Sequence, residues 1–273
     1  MKNLIVLCAI IFCFQAFSQR KPKIKGNKNV VEIVENLPPF NSIELNDDLE
    51  IALQKSSQEG YEITADDNLI DVLKFEVQDN TLMISSYYKI TSKKKLDITI
   101  NYFELNAITM NDGRIRMNDV IKSDELNVNT FGSSKLELSA NAPFININME
   151  DNSSGDFNLD SDSLNIVLKD RIDVQVYSVS EANTIKMYKN ATLKMEGTTN
   201  TFMINLLESA NLKAERFEAK NVTLNSNDSS TAIVNALETF ELSSSGSSKA
   251  YLYGRAKITI LDFLDTSELH KEK

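Results

Sequence analysis

The sequence predicts an all-β protein: a right-handed parallel β-helix, a solenoid of ~19-residue coils, with a β-rich N-terminal cap. Three observations predict it. The word Gly-Ser-Ser-Lys occurs at Gly132–Lys135 and again at Gly246–Lys249, 114 residues on, which is six steps of 19. Steps of 19 from Gly113 land on Gly132, Asp151, Asp170, Lys189, Glu208, Asn227 and Gly246, a column of polar and turn-forming residues. Two columns, apolar but for Thr223, flank it in register: Val128, Ile147, Ile166, Ile185, Ile204, Thr223 and Leu242 on one side, and Leu138, Phe157, Val176, Met195, Ala214, Ile233 and Leu252 on the other.

Within each unit the alternation has period two. "LNVNT" precedes the turn and "KLELSA" follows it, and "FININME", "LNIVLKD", "IDVQVY" and "ATLKME" continue the pattern, each reading as a half-buried strand. A unit this short cannot hold a strand–helix–strand crossover, which needs about 30 residues or more. It suits one coil of a β-helix, wound right-handed as parallel crossovers are. Small corner residues let successive corners nest and tolerate left-handed backbone angles. The competing fold, an antiparallel β-sandwich, requires hairpin signals at irregular spacing, and the fixed period opposes it. The column slips by one residue near Val222 and Leu224, and again near Ile108 and Met110, so bulges are expected at both places.

The chain divides accordingly. Residues 1–18 have the layout of a secretory leader, with Lys2, an apolar run from Leu4 to Phe14, and cleavage expected after Ser18. Both cysteines, Cys8 and Cys13, lie in that leader, so no disulfide or thiolate metal site is expected beyond it. A lipidated Cys13 would need small residues where Ile10, Ile11 and Phe12 stand. Residues 19–37 are a lead-in, 38–100 the cap and first coils, 101–255 the regular coils, and 256–273 a charged cap or fraying tail. Within the cap, "DDNLIDVLKFEV" opens on a short helix capped by Asp66 or Asp67.

The net charge is −10, and −11 once Lys2 leaves with the leader. Such a surface repels nucleic acid and anionic membrane. No segment after the leader is apolar enough to span a bilayer.

The stretches "FNSIELNDDLEIALQ", "YEITADDNLIDVLKFEVQDNTLMIS" and "LDITINYFELNAITMNDGRI" resemble the head GIN domain family of auto-transporter adhesins from Bacteroidetes-type bacteria, over roughly residues 38–255. The family commonly has Gly-Ile where this chain has Asp48-Leu49. The resemblance implies a secreted or periplasmic β-helix of the adhesin type, and it supplies no catalytic residues. No outer-membrane barrel accompanies the domain in this sequence.

Candidate site residues are few. Asp151 and Asp170 stand one repeat apart with Arg171 beside them, so their carboxylates stack at one corner. Polysaccharide lyases and hydrolases with β-helix folds use such clusters, with calcium or as acid and base. Asp and Asn also suit turns, and Arg171 and Lys189 can neutralise the column. Tyr251 and Tyr253 share the outward face of a late strand, where they either form a sugar platform or cover the last coil. Tyr87-Tyr88 and Tyr102-Phe103 are weaker aromatic candidates, and "SKKKLD" at 92–97 reads as a solvated basic loop. The single histidine, His270, lies in the expected tail and cannot organise a nucleophile there. The sequence therefore points to a non-enzymatic exported module that binds a glycan or envelope protein, with a carbohydrate-active enzyme at the Asp151–Asp170 corner as the alternative.

Overall fold

The computed structural model describes residues 21–273, so the leader expected at residues 1–18 lies outside the described residues. The described residues are 69% strand and 2% helix, coiled into a β-solenoid of about nine turns spaced ~19 residues apart.

Alternation is the cause of the coil. In strand Phe144–Met149, Ile145, Ile147 and Met149 are buried while Asn146 and Asn148 face out. Each coil repeats that choice one rung higher, in parallel register. Ile147 pairs with Val128 below and Ile166 above, and the file continues through Ile185, Ile204, Leu224 and Leu242 to Ile260. Downward it runs through Ile108 and Ile43 to Leu82. Rungs lie ~4.8 Å apart, so these side chains stack as a continuous apolar wall with no polar interruption.

The corners follow from backbone angles. Gly113, Gly132, Asp151, Asp170, Lys189, Glu208, Asp228, Gly246 and Asp265 all have positive φ, one per coil. The residue after each usually donates its N–H to the carbonyl of the corner residue one coil earlier: Asn152 to Gly132 at 3.0 Å, Arg171 to Asp151 at 2.8 Å, Thr266 to Gly246 at 2.9 Å. Gly-Ser-Ser-Lys recurs because three of its residues have fixed tasks. Gly246 takes the left-handed angle where a Cβ would lie 2.7 Å from the Asp228 carbonyl oxygen. The second serine, Ser134 or Ser248, is buried, and its hydroxyl donates to the carbonyl three residues back, at 2.6 and 3.0 Å. The lysine opens the next strand.

The slip near Val222 has a definite origin. Between Lys194 and Glu196 the register changes, and Glu196 faces Arg216, so the coil 211–226 holds an extra residue. The corner accordingly falls on Asp228 rather than Asn227, Leu224 rather than Thr223 enters the apolar file, and Val234 rather than Ile233 pairs with Leu252. The bulged segment delivers Phe217 to the core, edge-on to Phe202 at 5.0 Å between centroids.

Both ends are built differently from the regular coils. At the N-terminal end, Ser42–Leu45 lies between Thr81–Ser86 and Ala107–Met110, and Glu50–Lys55 between Leu96–Tyr102 and Arg114–Lys122, all in parallel. The first coil in sequence is thus the second in space. Antiparallel strands close this end: Leu73–Gln78 on Thr81–Ser86, and Val30–Asn36 on Gly60–Asp66, itself on Leu96–Tyr102. The short helix is Asp67–Ile70, with Asp66 at its N-cap, but the Asp66 side chain does not cap it. That buried carboxylate instead accepts the N–H groups of Lys28, Lys94 and Lys95 at 3.3, 3.0 and 3.3 Å, tying the lead-in to the loop.

At the other end, residues 256–273 form a further coil rather than a fraying tail. Lys257–Phe263 pairs in parallel with Thr231–Ser244, Glu268–Lys271 pairs with Lys249–Gly254, and Asp265 supplies the corner.

Candidate functional site

The corner bearing Asp151 and Asp170 is where the sequence placed its best chemistry. The structure puts these residues at equivalent points of successive coils, both with left-handed φ, at 65° and 73°. Their carboxylates are engaged. Asp151 Oδ2 accepts the Gly132 N–H at 2.9 Å, and Asp170 forms an ion pair with Lys189. The hydrogen bond that Lys189 donates to the Asp170 carboxylate, together with that group's charge, raises the Lys189 pKa. Arg171 makes its contact through the backbone, donating to the Asp151 carbonyl. The same device recurs along the column: Asp228 accepts from the Glu208 N–H at 3.1 Å and Asp265 from the Gly246 N–H at 2.9 Å. The carboxylates act as backbone acceptors that clip one corner to the next. Among the described residues no three His, Cys, Asp or Glu side chains gather as a metal-holding group, and the pair considered for calcium is bound to corner N–H and ammonium groups.

Tyr251 and Tyr253 flank the buried Leu252 on the outward face, half-exposed. Tyr251 lies flat against the His270 ring of the last coil, centroids 4.8 Å apart and planes 13° from parallel. His270 is thus held in a strand, and its Nε2 is 2.8 Å from Glu268 Oε2. This hydrogen bond, with a second from Lys249, lowers the Glu268 pKa. Tyr251 thus binds one coil to the next.

A different place has the makings of a binding site. On the strand Asp173–Met187, Val176 points inward and Tyr177 outward, the tyrosine residue 51% exposed. Register places Asn158 one coil below Tyr177 and Glu196 one coil above. Two residues upstream the same stacking sets Asp156, Gln175 and Lys194 side by side. Asp156, Gln175, Tyr177, Lys194 and Glu196 line a groove of about 280 Å³. Lys194 Nζ bonds Glu196 Oε1 at 2.8 Å, and Arg216 approaches the same oxygen at 3.6 Å, so Glu196 is held below the usual carboxylate range. A groove so built offers one aromatic face ringed by carboxylate, amide and ammonium groups. Sequence reasoning passed over Tyr177. Its signal was an aromatic at an outward position of the period, with Asn158 and Glu196 at ±19.

A second feature is an amide ladder on the other run of the coil. Asn165 Nδ2 donates to Asn146 Oδ1 at 3.0 Å, and Asn146 Nδ2 to Asn127 Oδ1 at 3.1 Å. These amides saturate one another along the axis, which stiffens the face and leaves a shallow hollow of about 140 Å³.

A single β-solenoid with polar corners and broad exposed faces is the class of protein these features define. The family model described as "Putative auto-transporter adhesin, head GIN domain" matches residues 39–163 and 145–256, and the chain belongs to that family. Among solved structures, a "putative adhesin" from Parabacteroides merdae aligns over 92% of this chain and 100% of its own, at 16% identity and a TM-score of 0.65. A "putative adhesin" from Parabacteroides distasonis aligns over 91% of this chain and 99% of its own, at 14% identity and a TM-score of 0.69. A "Putative lipid binding protein" from the same species aligns over 92% and 100%, at 20% identity and 0.60. At these identities the likeness is one of fold. No curated protein matches the chain. Among the described residues no helix is long and apolar enough to cross a membrane.

Proposed function

We propose that this protein is an exported, adhesin-type binding module that holds a saccharide in the groove around Tyr177, without turning it over. The leader-like residues 1–18 and the adhesin family support export and binding. The exposed Tyr177 ring among Asp156, Gln175, Lys194 and Glu196 carries the choice of ligand. Sugar rings present C–H faces that stack on an aromatic ring, and hydroxyl groups that pair with carboxylates and amides at its rim. Binding of this kind, on a shallow groove, is weak per site and gains strength when the ligand is a repeating polymer.

The test is a glycan array followed by calorimetry on the best oligosaccharide. Tyr177→Ala is expected to weaken binding at least tenfold, about 1.4 kcal/mol, and Asp151→Ala to leave it unchanged. The oligosaccharide should be recovered intact after prolonged incubation. Saccharide binding that is indifferent to Tyr177→Ala, or release of new reducing ends, would refute the proposal.

A further inference from the structure

The last coil breaks the pattern of burial seen in the others. Every residue of Lys257–Phe263 is exposed, although its register follows the coil beneath. Ile258 stands over Phe240 and Ile260 over Leu242, both of which are completely buried. Ile258, Ile260 and Phe263 therefore point along the core and end it without a cover, at 39%, 51% and 44% exposure. Leu261 and Leu264 beside them are each 57% exposed. Among the described residues the strands Lys257–Phe263 and Glu268–Lys271 each pair on one side only, leaving a row of backbone N–H and C=O groups without a strand partner there. The N-terminal end is treated differently. There the antiparallel strands Leu73–Gln78 and Gly60–Asp66 lie over the core, with Phe75 stacked on Tyr61.

We infer that the C-terminal end of the solenoid is an interface with a second copy of this chain, tail to tail about a twofold axis, with Lys257–Phe263 pairing antiparallel to itself. Three features select this occupant. A strand edge of alternating side chains is self-complementary under a twofold: antiparallel pairing returns inward residues to the inside and completes both apolar cores at once. Head-to-tail growth is closed off, because the opposite end presents the antiparallel strands Val30–Asn36 and Leu73–Gln78, with Glu32, Glu35, Lys74 and Glu76 along them. Charge also permits it. The chain carries −10, yet residues 255–273 balance Arg255, Lys257, Lys271 and Lys273 against Asp262, Asp265, Glu268 and Glu272, for a net charge of zero. A copy therefore meets a copy at this end without the repulsion that the net charge of the whole chain implies. Lys271, paired to Leu252 and donating to the Leu252 and Glu272 carbonyls, blunts the shorter strand, so contact centres on Lys257–Phe263.

Sedimentation velocity on the purified protein is expected to show a dimer at about 100 μM that dissociates on dilution. Ile260→Lys should give a monomer at the same concentration with its circular dichroism unchanged. A spin label at Thr259→Cys, in a background lacking Cys8 and Cys13, should report an intermolecular distance no longer than ~20 Å, because antiparallel self-pairing keeps both labels within a few residues at 3.3 Å each. This label decides the matter should Ile260→Lys fail to fold. A monomer at every concentration, a dimer indifferent to Ile260→Lys, or labels far apart would overturn the inference. So would a monomer that floats with phosphatidylethanolamine–phosphatidylglycerol vesicles, which would assign the apolar end to lipid.

Discussion

The Asp151 carboxylate accepts the backbone N–H of Gly132 at 2.9 Å, from a residue nineteen positions earlier. One side chain thereby fastens its own corner to the corner below. Asp151→Ala removes that acceptor and leaves an alanine at a φ of 65°. The expected loss is about 1–2 kcal/mol of stability, read as a lower urea midpoint at unchanged slope. Asp151→Asn keeps an acceptor oxygen and should lose less.

Left-handed corners make opposite predictions for glycine and non-glycine positions. Glu208 has a φ of 60° and carries a side chain there. Glu208→Gly should stabilise the fold by roughly 0.5–1 kcal/mol, the relieved cost of the left-handed angle less the entropy of a looser unfolded chain. Gly246→Ala should destabilise by about 1–3 kcal/mol, since the new Cβ meets the Asp228 carbonyl oxygen at 2.7 Å. Thermal midpoints of the two variants should move in opposite directions.

Tyr102 is 1% exposed, and its buried hydroxyl has no hydrogen-bond partner among the described residues. Burial first, and the Asp119 charge second, push its pKa up to about 12. Tyr61 is likewise raised to about 12, by burial and its bond to Glu35. A phenol whose folded pKa exceeds its unfolded value of ~10 favours the native state below pH 10 and ceases to do so as pH climbs to 12. Stability should therefore fall between pH 10 and 12. Tyr102→Phe should be neutral or stabilising at pH 7, because it deletes an unpaired buried hydroxyl, and should flatten the alkaline decline. A variant markedly less stable at pH 7 would point to a partner for that hydroxyl.

Phe217 is fully buried at the bulge and packs edge-on against Phe202. Phe217→Ala should cost about 3–5 kcal/mol. It should also loosen the register of the coil 211–226, seen as faster amide exchange there than in the coil 173–187.

The regular coils could be read from the sequence because one period governs two things at once. An aliphatic at Ile166 and a turn residue at Asp170 are required by neighbours 19 residues away, so the requirement is visible without coordinates. The first coil could not be read in this way. Ile43 stacks on Ile108, 65 residues later, and on Leu82, and no local alternation encodes so distant a partner. The last coil was legible in principle, since Asp265 continues the corner from Gly246, but its many charges obscured it. At the corner the sequence showed that carboxylates stack. It did not show that Asp151 is occupied by an amide, because that depends on which way a left-handed residue turns its side chain. Tyr177 was passed over because an outward aromatic is distinguishable from a covering one only when its neighbours on adjacent rungs are known.

The threading of Ser42–Leu45 between Thr81–Ser86 and Ala107–Met110 bears on how the molecule comes into being. Both strands that sandwich it are synthesised after it, the later one more than a hundred residues from the start. The rung beneath Ser42–Leu45 and Glu50–Lys55 is therefore complete only once Thr81–Ser86 and Leu96–Tyr102 have been added. From Ala107 onward the chain grows rung by rung, each new turn laid on a finished one.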